Sequence, residues 1–517
     1  MNATIDAGAA ARPREEHRRR LLLRGALALV ILLLLFNAGK MLAGSWLALH
    51  YPYDLDYGEG IVWQQMRNIL SGEGYSPLGT YPAIVYHYPP VYHLTTAAIA
   101  SILAMDQLIA GRLVSLLSTI ASMAFVGMLV LSAIPKDESR IVRMGAAAIG
   151  GLCLASIPTI LNWSTLMRVD MLGCALMLGG LLLSIRAVTR PAAVPFAALA
   201  FVLAVYTKQT NIAAPLAALI GLWFVRPKSA FLLLGCCVML GLVALAALVV
   251  ESDGGFLRHI LLYNVNRLDL SRWRLLVWVL FSQALLVAIA GSAMTRAWRR
   301  LTDTHAATLR GRVTKDDRSA ALLVLMLFMA VNAAMLPLTL KSGASDNYLI
   351  AWSCGIAMFV GLAAAPMLRA AERGDAWPSP ILITLFIAAL SVAAYRAPPV
   401  EIDPATKERM AAVVARIRAS AKPVISDDMV LLIRAGRPVQ YEPAIAAELA
   451  HSNLYDEAGF ARMVRRGDFG FFLTRGDRGS PLFDERYNPR VAAAIDAAYP
   501  RKEIIGDLVF HLPAQRQ

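Results

Sequence analysis

Three carboxylates fall close together in Tyr53-Asp54-Leu55-Asp56-Tyr57-Gly58-Glu59-Gly60, and this segment has the composition to move a proton. The loop around it is crowded with rings and prolines (Tyr75, Tyr81, Tyr86, His87, Tyr88, Pro89, Pro90 and Tyr92), which predicts packing against neighbouring loops. A carboxylate held in partly apolar surroundings is suited to general-base work. The competing reading is an ordinary solvated acidic turn. Further along, Asp170 stands at the start of an apolar stretch with Arg168 two residues before it. An acid there suits the positive end of a helix dipole, while ionisable groups at membrane depth point to function.

Basic groups that could meet a phosphate recur in other short segments. Lys208 lies in Tyr206-Thr207-Lys208-Gln209-Thr210-Asn211, a tight turn between two apolar runs. It reads either as a lysine reaching to the interface or as a partner for a lipid-linked phosphate. Lys341 and Tyr348 repeat the combination in Lys341-Ser342-Gly343-Ala344-Ser345-Asp346-Asn347-Tyr348. The loop from Arg258 to Arg274 adds His259, Tyr263, Arg267 and Arg272.

The elements that must position these groups are membrane helices. Of the 517 residues, 57% are hydrophobic, an excess over ordinary soluble domains. Apolar runs of about 20 residues, the length that spans a bilayer, are predicted at 21–49, 110–134, 141–161, 171–187, 193–207, 210–225, 229–250, 274–294, 319–338, 347–367 and 379–396. The reading is a polytopic α-helical membrane protein of about 11 transmembrane helices, the first a retained signal anchor. Residues 92–105 are apolar but short and are read as a re-entrant or partly buried helix.

The formal net charge of +14 is distributed in alternate loops. Basic residues gather around Arg18–Arg20, Lys136–Arg143, Arg186–Arg190, Arg226–Lys228 and Arg296–Arg318. Short cytoplasmic loops concentrate Lys and Arg, so these loops are placed inside, with the N-terminus cytoplasmic. The basic charge then reports orientation and implies no nucleic-acid partner. All the carboxylates and cations described above fall on the opposite, outer side. The five cysteines sit in apolar spans without metal or disulfide spacing.

From about residue 397 to 517 the composition becomes that of a soluble domain, predicted to be a small α/β unit on the outer side. Met410, Val413, Val414 and Ile417 follow the spacing of an amphipathic helix. Strands are predicted at Pro423–Ser426, Phe469–Thr474 and Asp507–His511.

In order and sidedness these motifs resemble the GT-C superfamily, in the branch of protein O-mannosyltransferases and lipid A aminoarabinose transferases. The likeness covers about residues 20–396. Asp56 with Glu59 resembles the acidic motif after the first span, although many members have adjacent Asp-Glu where this chain has Asp-Tyr-Gly-Glu. That departure leaves the choice between Asp54 and Asp56 open. Gly111-Arg112-Leu113 resembles the family's Arg-Leu-Pro helix, with valine in place of proline. Asp170 resembles the second acidic residue, Lys208 the lysine that meets the lipid phosphate, and Lys341 to Tyr348 the late phosphate contact.

The resemblance implies a GT-C-like domain over 1–396, with 50–92 as its first periplasmic loop, in a bacterial inner membrane. The implied reaction is inverting transfer of a sugar from a polyprenyl-phosphate donor to a periplasmic acceptor. Asp56, Glu59, Asp54 and Asp170 would be catalytic, and Lys208, Lys341, Tyr348 and Arg267 would bind the donor phosphate. His87, Tyr88, Arg168 and His259 would line the acceptor side. No metal ligands are assigned, and no cofactor is certain; a divalent cation is left open because some relatives use one. The alternatives are a transporter or flippase of a lipid-linked saccharide, or a non-catalytic polysaccharide-assembly subunit.

Overall fold

The computed structural model describes residues 3–264, 266–302, 308–373, 379–396 and 402–514, with the side chains of 3–16 and of Lys315 left aside. The expected boundary at 396/397 adjoins residues outside this set. Up to Tyr395 the described residues are mostly helical, and the helices bury their small and branched residues against each other. Their outward faces are apolar too: Leu32, Phe196, Phe231, Val243 and Phe281 are all exposed. Apolar residues on both faces of a helix are what hydrocarbon requires, and the chain is a membrane protein.

Among the described residues, five helices are long and apolar enough to cross a membrane: His17–His50, Gln107–Ser132, Pro227–Glu251, Asp317–Leu340 and Asp346–Arg373. A sixth span results if Leu270–Ser282 and Ala284–Thr302, which bend by 68° at Gln283, are counted as one. The stretches where further spans are expected form shorter helices: Arg140–Cys153, Asp170–Arg186, Val194–Val205, Ala213–Val225 and Pro380–Tyr395. The apolar run at 141–161 shows why. Its helix stops at Cys153, a 3-10 turn follows at Leu154–Ser156, and Pro158 starts a new short helix. Proline at a helix start is favourable, but it cannot continue a helix. The Val91–Ile102 helix has 12 residues, which matches the short element expected there.

Among the described residues from 402 on there are a four-stranded sheet and six helices. The strands are β1 (Ile425–Ser426), β2 (Phe472–Arg475), β3 (Arg501–Ile505) and β4 (Leu508–Leu512), in the order β1-β2-β4-β3. The first pair is parallel and the other two antiparallel. The Pro404–Ala419 helix buries Met410, Val413, Val414 and Ile417.

This unit is docked on the loop that follows the first helix and on the helices beside it. Arg434 reaches both oxygens of Asp106 at 2.6 and 3.0 Å, donates to the Pro52 carbonyl and lies 4.8 Å from the Trp63 ring. The backbone of Ala83 pairs with that of Tyr441, and the Val439 amide donates to Gln64. Gly60 permits the approach, since a Cβ there would lie 2.5 Å from the Cβ of Met429. A shared apolar cluster of loop and domain residues, including Trp63, Met66, Met429, Leu431 and Phe510, seals the contact.

Candidate active site

The acidic segment begins where the first helix ends, and Asp56 caps the next helix, Tyr57–Leu70, by accepting from the Gly58 amide at 2.9 Å. An aspartate cap satisfies one of the free N–H groups of a helix start. Glu59, one turn in, therefore points the opposite way, into the protein. There Arg112 grips it with two guanidinium nitrogens at 2.8 and 2.6 Å, and both side chains are fully buried. Glu59 also accepts from the amides of Leu55 and Met167. Arg112 uses its remaining hydrogens on the carbonyls of Ala48, Tyr51 and Tyr53. Glu59 is thus the hub of a closed polar network, with both oxygens doubly engaged.

Asp56 is placed otherwise. Its Oδ1 takes the Gly58 amide and Arg168 Nη1 at 2.9 Å, its side chain is 30% exposed, and Oδ2 has no partner among the described residues. Arg168 lies over Trp163 at 5.1 Å and crosses directly above Gly58, where a Cβ would fall 1.2 Å from Nη1. This explains the Asp-Tyr-Gly-Glu spacing, because only glycine leaves room for the guanidinium. Burial pulls the Arg168 pKa down, but Asp56, then Tyr88 and Asp170, more than reverse this and hold it above its usual range.

Asp170 and Lys208 form a second pair. Lys208 Nζ lies 2.6 Å from Asp170 Oδ1, and both side chains are almost wholly buried. Asn347 donates to the same oxygen at 2.9 Å, and Lys208 stands 4.7 Å over the Tyr348 ring. Burial opposes the charge on Lys208, yet Asp170 outweighs it and keeps the lysine protonated. These residues line a recess whose empty space, open solvent included, is about 440 Å³. Asp170 Oδ2 and Asn347 Oδ1 are buried there without partners. Buried polar atoms are normally hydrogen-bonded, so unpaired ones beside a recess mark a place for a polar ligand.

The two pairs are neighbours. Tyr88 feels Arg168, Lys208, Asp170 and Tyr348, and burial raises its hydroxyl pKa. His87 faces Arg168 and His259, and burial first of all lowers its pKa to about 4, leaving a neutral imidazole. The structure therefore brings together Asp56, Arg168, Asp170, Lys208, Tyr348, His87 and Tyr88.

Other expected residues lie apart. Asp54 turns toward the C-terminal unit, where Arg475 holds it at 3.1 Å and Asp428 shares a hydrogen bond with it. Burial raises the pKa of both; the charge of Asp54 raises Asp428 further, whereas the hydrogen bond from Asp428 works against the rise at Asp54. His259 is a strut: Nδ1 accepts from the Tyr86 amide, and Nε2 meets the Ser76 carbonyl at 2.8 Å. Lys341 and Arg267 sit on a short antiparallel pairing at the rim, with Arg267 exposed and 4.0 Å from Glu448.

Sequence reasoning missed Asn347 as a ligand of Asp170, and every contribution from the C-terminal unit. Glu442 is the most telling of these. Its side chain is buried with Oε2 unpartnered, near the Tyr57 hydroxyl, which is buried and unpartnered as well. Burial raises its pKa to about 8, and Arg168 is the charge that most opposes the rise. A raised carboxyl stabilises the fold fully below its unfolded pKa, and that contribution is lost as pH rises through the folded value. The wild-type protein should thus lose stability between the ordinary glutamate range and about pH 8. Glu442→Gln should remove that loss, unfolding at higher temperature than wild type at about pH 9 and alike at about pH 4. Parallel thermal melts would refute this assignment by showing the same pH dependence in both proteins.

No protein-family model and no curated protein matches this sequence. Solved structures do match it. ArnT from Cupriavidus metallidurans in the apo state superposes with a TM-score of 0.57 at 13% identity, over 92% of this chain and 97% of that one. The same protein bound to undecaprenyl phosphate gives 0.50 at 15% identity, over 93% and 98%. The archaeal oligosaccharyltransferase AglB from Archaeoglobus fulgidus, in complex with an inhibitory peptide and a dolichol-phosphate, gives 0.51 at 11%, over 92% and 72%. At such identities the likeness establishes the fold alone: this chain shares the fold of ArnT and AglB.

Proposed function

We propose that the protein is a membrane glycosyltransferase that moves a sugar from a polyprenyl-phosphate donor to an acceptor on the outer, periplasmic side. The observation that carries this reading is the recess holding Lys208 and Asp170, linked through Arg168, whose charge both Asp170 and Asp56 support, to an aspartate with one free oxygen. The fold shared with ArnT, one of whose structures holds undecaprenyl phosphate, supports the same donor class. We place the chain in a bacterial inner membrane with about 11 spans, the N-terminus cytoplasmic and the C-terminal unit periplasmic. The alternating basic loops support that orientation.

In the proposed reaction the acceptor oxygen attacks the anomeric carbon from the face opposite the phosphate. The bond from that carbon to the phosphate oxygen breaks, and the configuration inverts. Asp56 Oδ2 takes the acceptor proton, and Arg168 fixes the carboxylate through Oδ1. Lys208, aligned by Asp170 and Tyr348, receives the charge that develops on the departing polyprenyl phosphate, the electrostatic role that is often the largest in catalysis. Lys341 and Arg267 at the rim would draw the phosphate in. His87 and Tyr88 would border the acceptor. Asp54 and His259 would hold the loop in place, as would Glu59. No step is routed through a divalent cation, because Asp56, Glu59 and Asp170 are each already paired with a cationic side chain.

Lys208→Ala tests the donor assignment. It removes a charge-assisted contact worth roughly 1.5–3 kcal/mol, so undecaprenyl phosphate should bind the variant about tenfold more weakly, or worse. Binding of the labelled lipid to protein in nanodiscs reads this directly. Equal affinity in wild type and variant would remove Lys208 from the phosphate site, and no binding to wild type would remove the proposed donor class.

A further inference from the structure

The ends of the helices farthest from the candidate site carry a second cavity, of about 650 Å³ with open space included. Four guanidiniums surround it: Arg296, Arg300, Arg318 and Arg369. They arrive from three helices, Ala284–Thr302, Asp317–Met335 and Ile350–Arg373. The Gln107–Ser132 helix carries Arg112 near one end and leads to Ala133, which lines this cavity, at the other. At 1.5 Å per residue the two sites lie about 30 Å apart, so they occupy opposite faces of the membrane domain.

The positive charge at this cavity exceeds what nearby acids neutralise. Asp316 pairs with Arg300 at 2.7 Å, and Glu138 pairs with Arg369 at 2.5 Å but is shared with Arg373. Arg296 and Arg318 have no carboxylate within ion-pair distance among the described residues. Arg318 donates through Nε to the Ala133 carbonyl, which leaves its terminal nitrogens free to turn inward. Arg369 Nε is buried without a partner. Below the guanidiniums the wall is apolar, with Ala293, Leu322 and Pro366 among its residues. Trp298, on the same helix as Arg296 and Arg300, is exposed, as suits a ring at a membrane–water interface.

We propose that this cavity is a binding site for the phosphate of an anionic phospholipid, with the phosphodiester among the arginines and the glycerol on the apolar wall. Guanidinium forks match phosphate oxygens in pairs, and basic pockets between membrane helices suit anionic head groups. A free phosphate would satisfy the arginines but leave the apolar wall uncovered, so the lipid is the better fit. The site is independent of the sugar-transfer reading and stands without it.

Native mass spectrometry of the full-length protein tests the proposal, with phosphatidylglycerol, phosphatidylethanolamine and inorganic phosphate each titrated separately. The expected result is one saturably bound phosphatidylglycerol, with phosphatidylethanolamine retained about tenfold less. Arg296→Glu reverses an exposed, unpaired charge, and Arg318→Gln removes one; each should weaken phosphatidylglycerol binding by about tenfold or more. Because Arg296 is on the surface, its variant keeps the test informative if Arg318→Gln misfolds. Equal retention of the two lipids, or unchanged phosphatidylglycerol binding in the variants, overturns the site. Displacement of the lipid by equimolar inorganic phosphate overturns the lipid assignment in favour of a free anion.

Discussion

Asp56→Asn should abolish sugar transfer, lowering turnover by roughly 10²–10⁴, the usual contribution of a positioned general base. The side chain keeps its shape, and asparagine caps a helix about as well as aspartate, so the Tyr57–Leu70 helix should still start at the same place. What disappears is the negative charge that holds Arg168 and the oxygen able to accept a proton. Expression, membrane insertion and thermal stability should stay close to wild type, and undecaprenyl phosphate should still bind through Lys208. Transfer is measured in membranes supplied with polyprenyl-phosphate sugar. A variant that transfers at the wild-type rate would show that Asp56 is only a cap.

Arg112→Ala should have the largest structural effect. Removing one partner of a buried ion pair costs about 3–5 kcal/mol, because the other charge stays behind uncompensated. Here the loss also strands the carbonyls of Ala48, Tyr51 and Tyr53, each of which accepts from the guanidinium. Since a whole fold is worth only about 5–15 kcal/mol, the variant should fail to accumulate or melt far below wild type. Arg112→Lys should rescue little, because one ammonium cannot span both Glu59 oxygens and three carbonyls. A destabilisation under about 1 kcal/mol for Arg112→Ala would contradict the closed network inferred around Glu59.

The contrast between Asp56 and Glu59 shows where the sequence stops being informative. Both belong to one acidic segment, and the sequence suggests a helix only from Ile61 to Leu70, whereas the helix starts at Tyr57 and so takes in Glu59. Their different surroundings were not readable either. Arg112 and the Met167 amide, which consume Glu59, stand 53 and 108 residues away along the chain. Asp170 and Lys208 were readable because each interrupts long apolar stretches, where a charge is conspicuous. Asn347 was not, being a neutral residue in a polar loop. In the C-terminal unit, β3 escaped notice because four of its five residues are exposed and carry no apolar alternation. Glu442 and Asp428 gain their importance only from docking, which leaves no local pattern. Gly58 was legible as a departure from the motif, but its reason lies in Arg168, 110 positions later.

The clasp between Arg434 and Asp106 joins residues 328 positions apart. At about 5–20 residues per second of synthesis, the ribosome takes roughly a quarter of a minute to a minute to deliver the arginine after the aspartate. Throughout that interval the ring-rich segment beneath has no cover, and its amides and carboxylates are free to engage whatever else is at hand. The segment is therefore exposed to mispairing during synthesis in a way that the finished protein, with the clasp closed, is not.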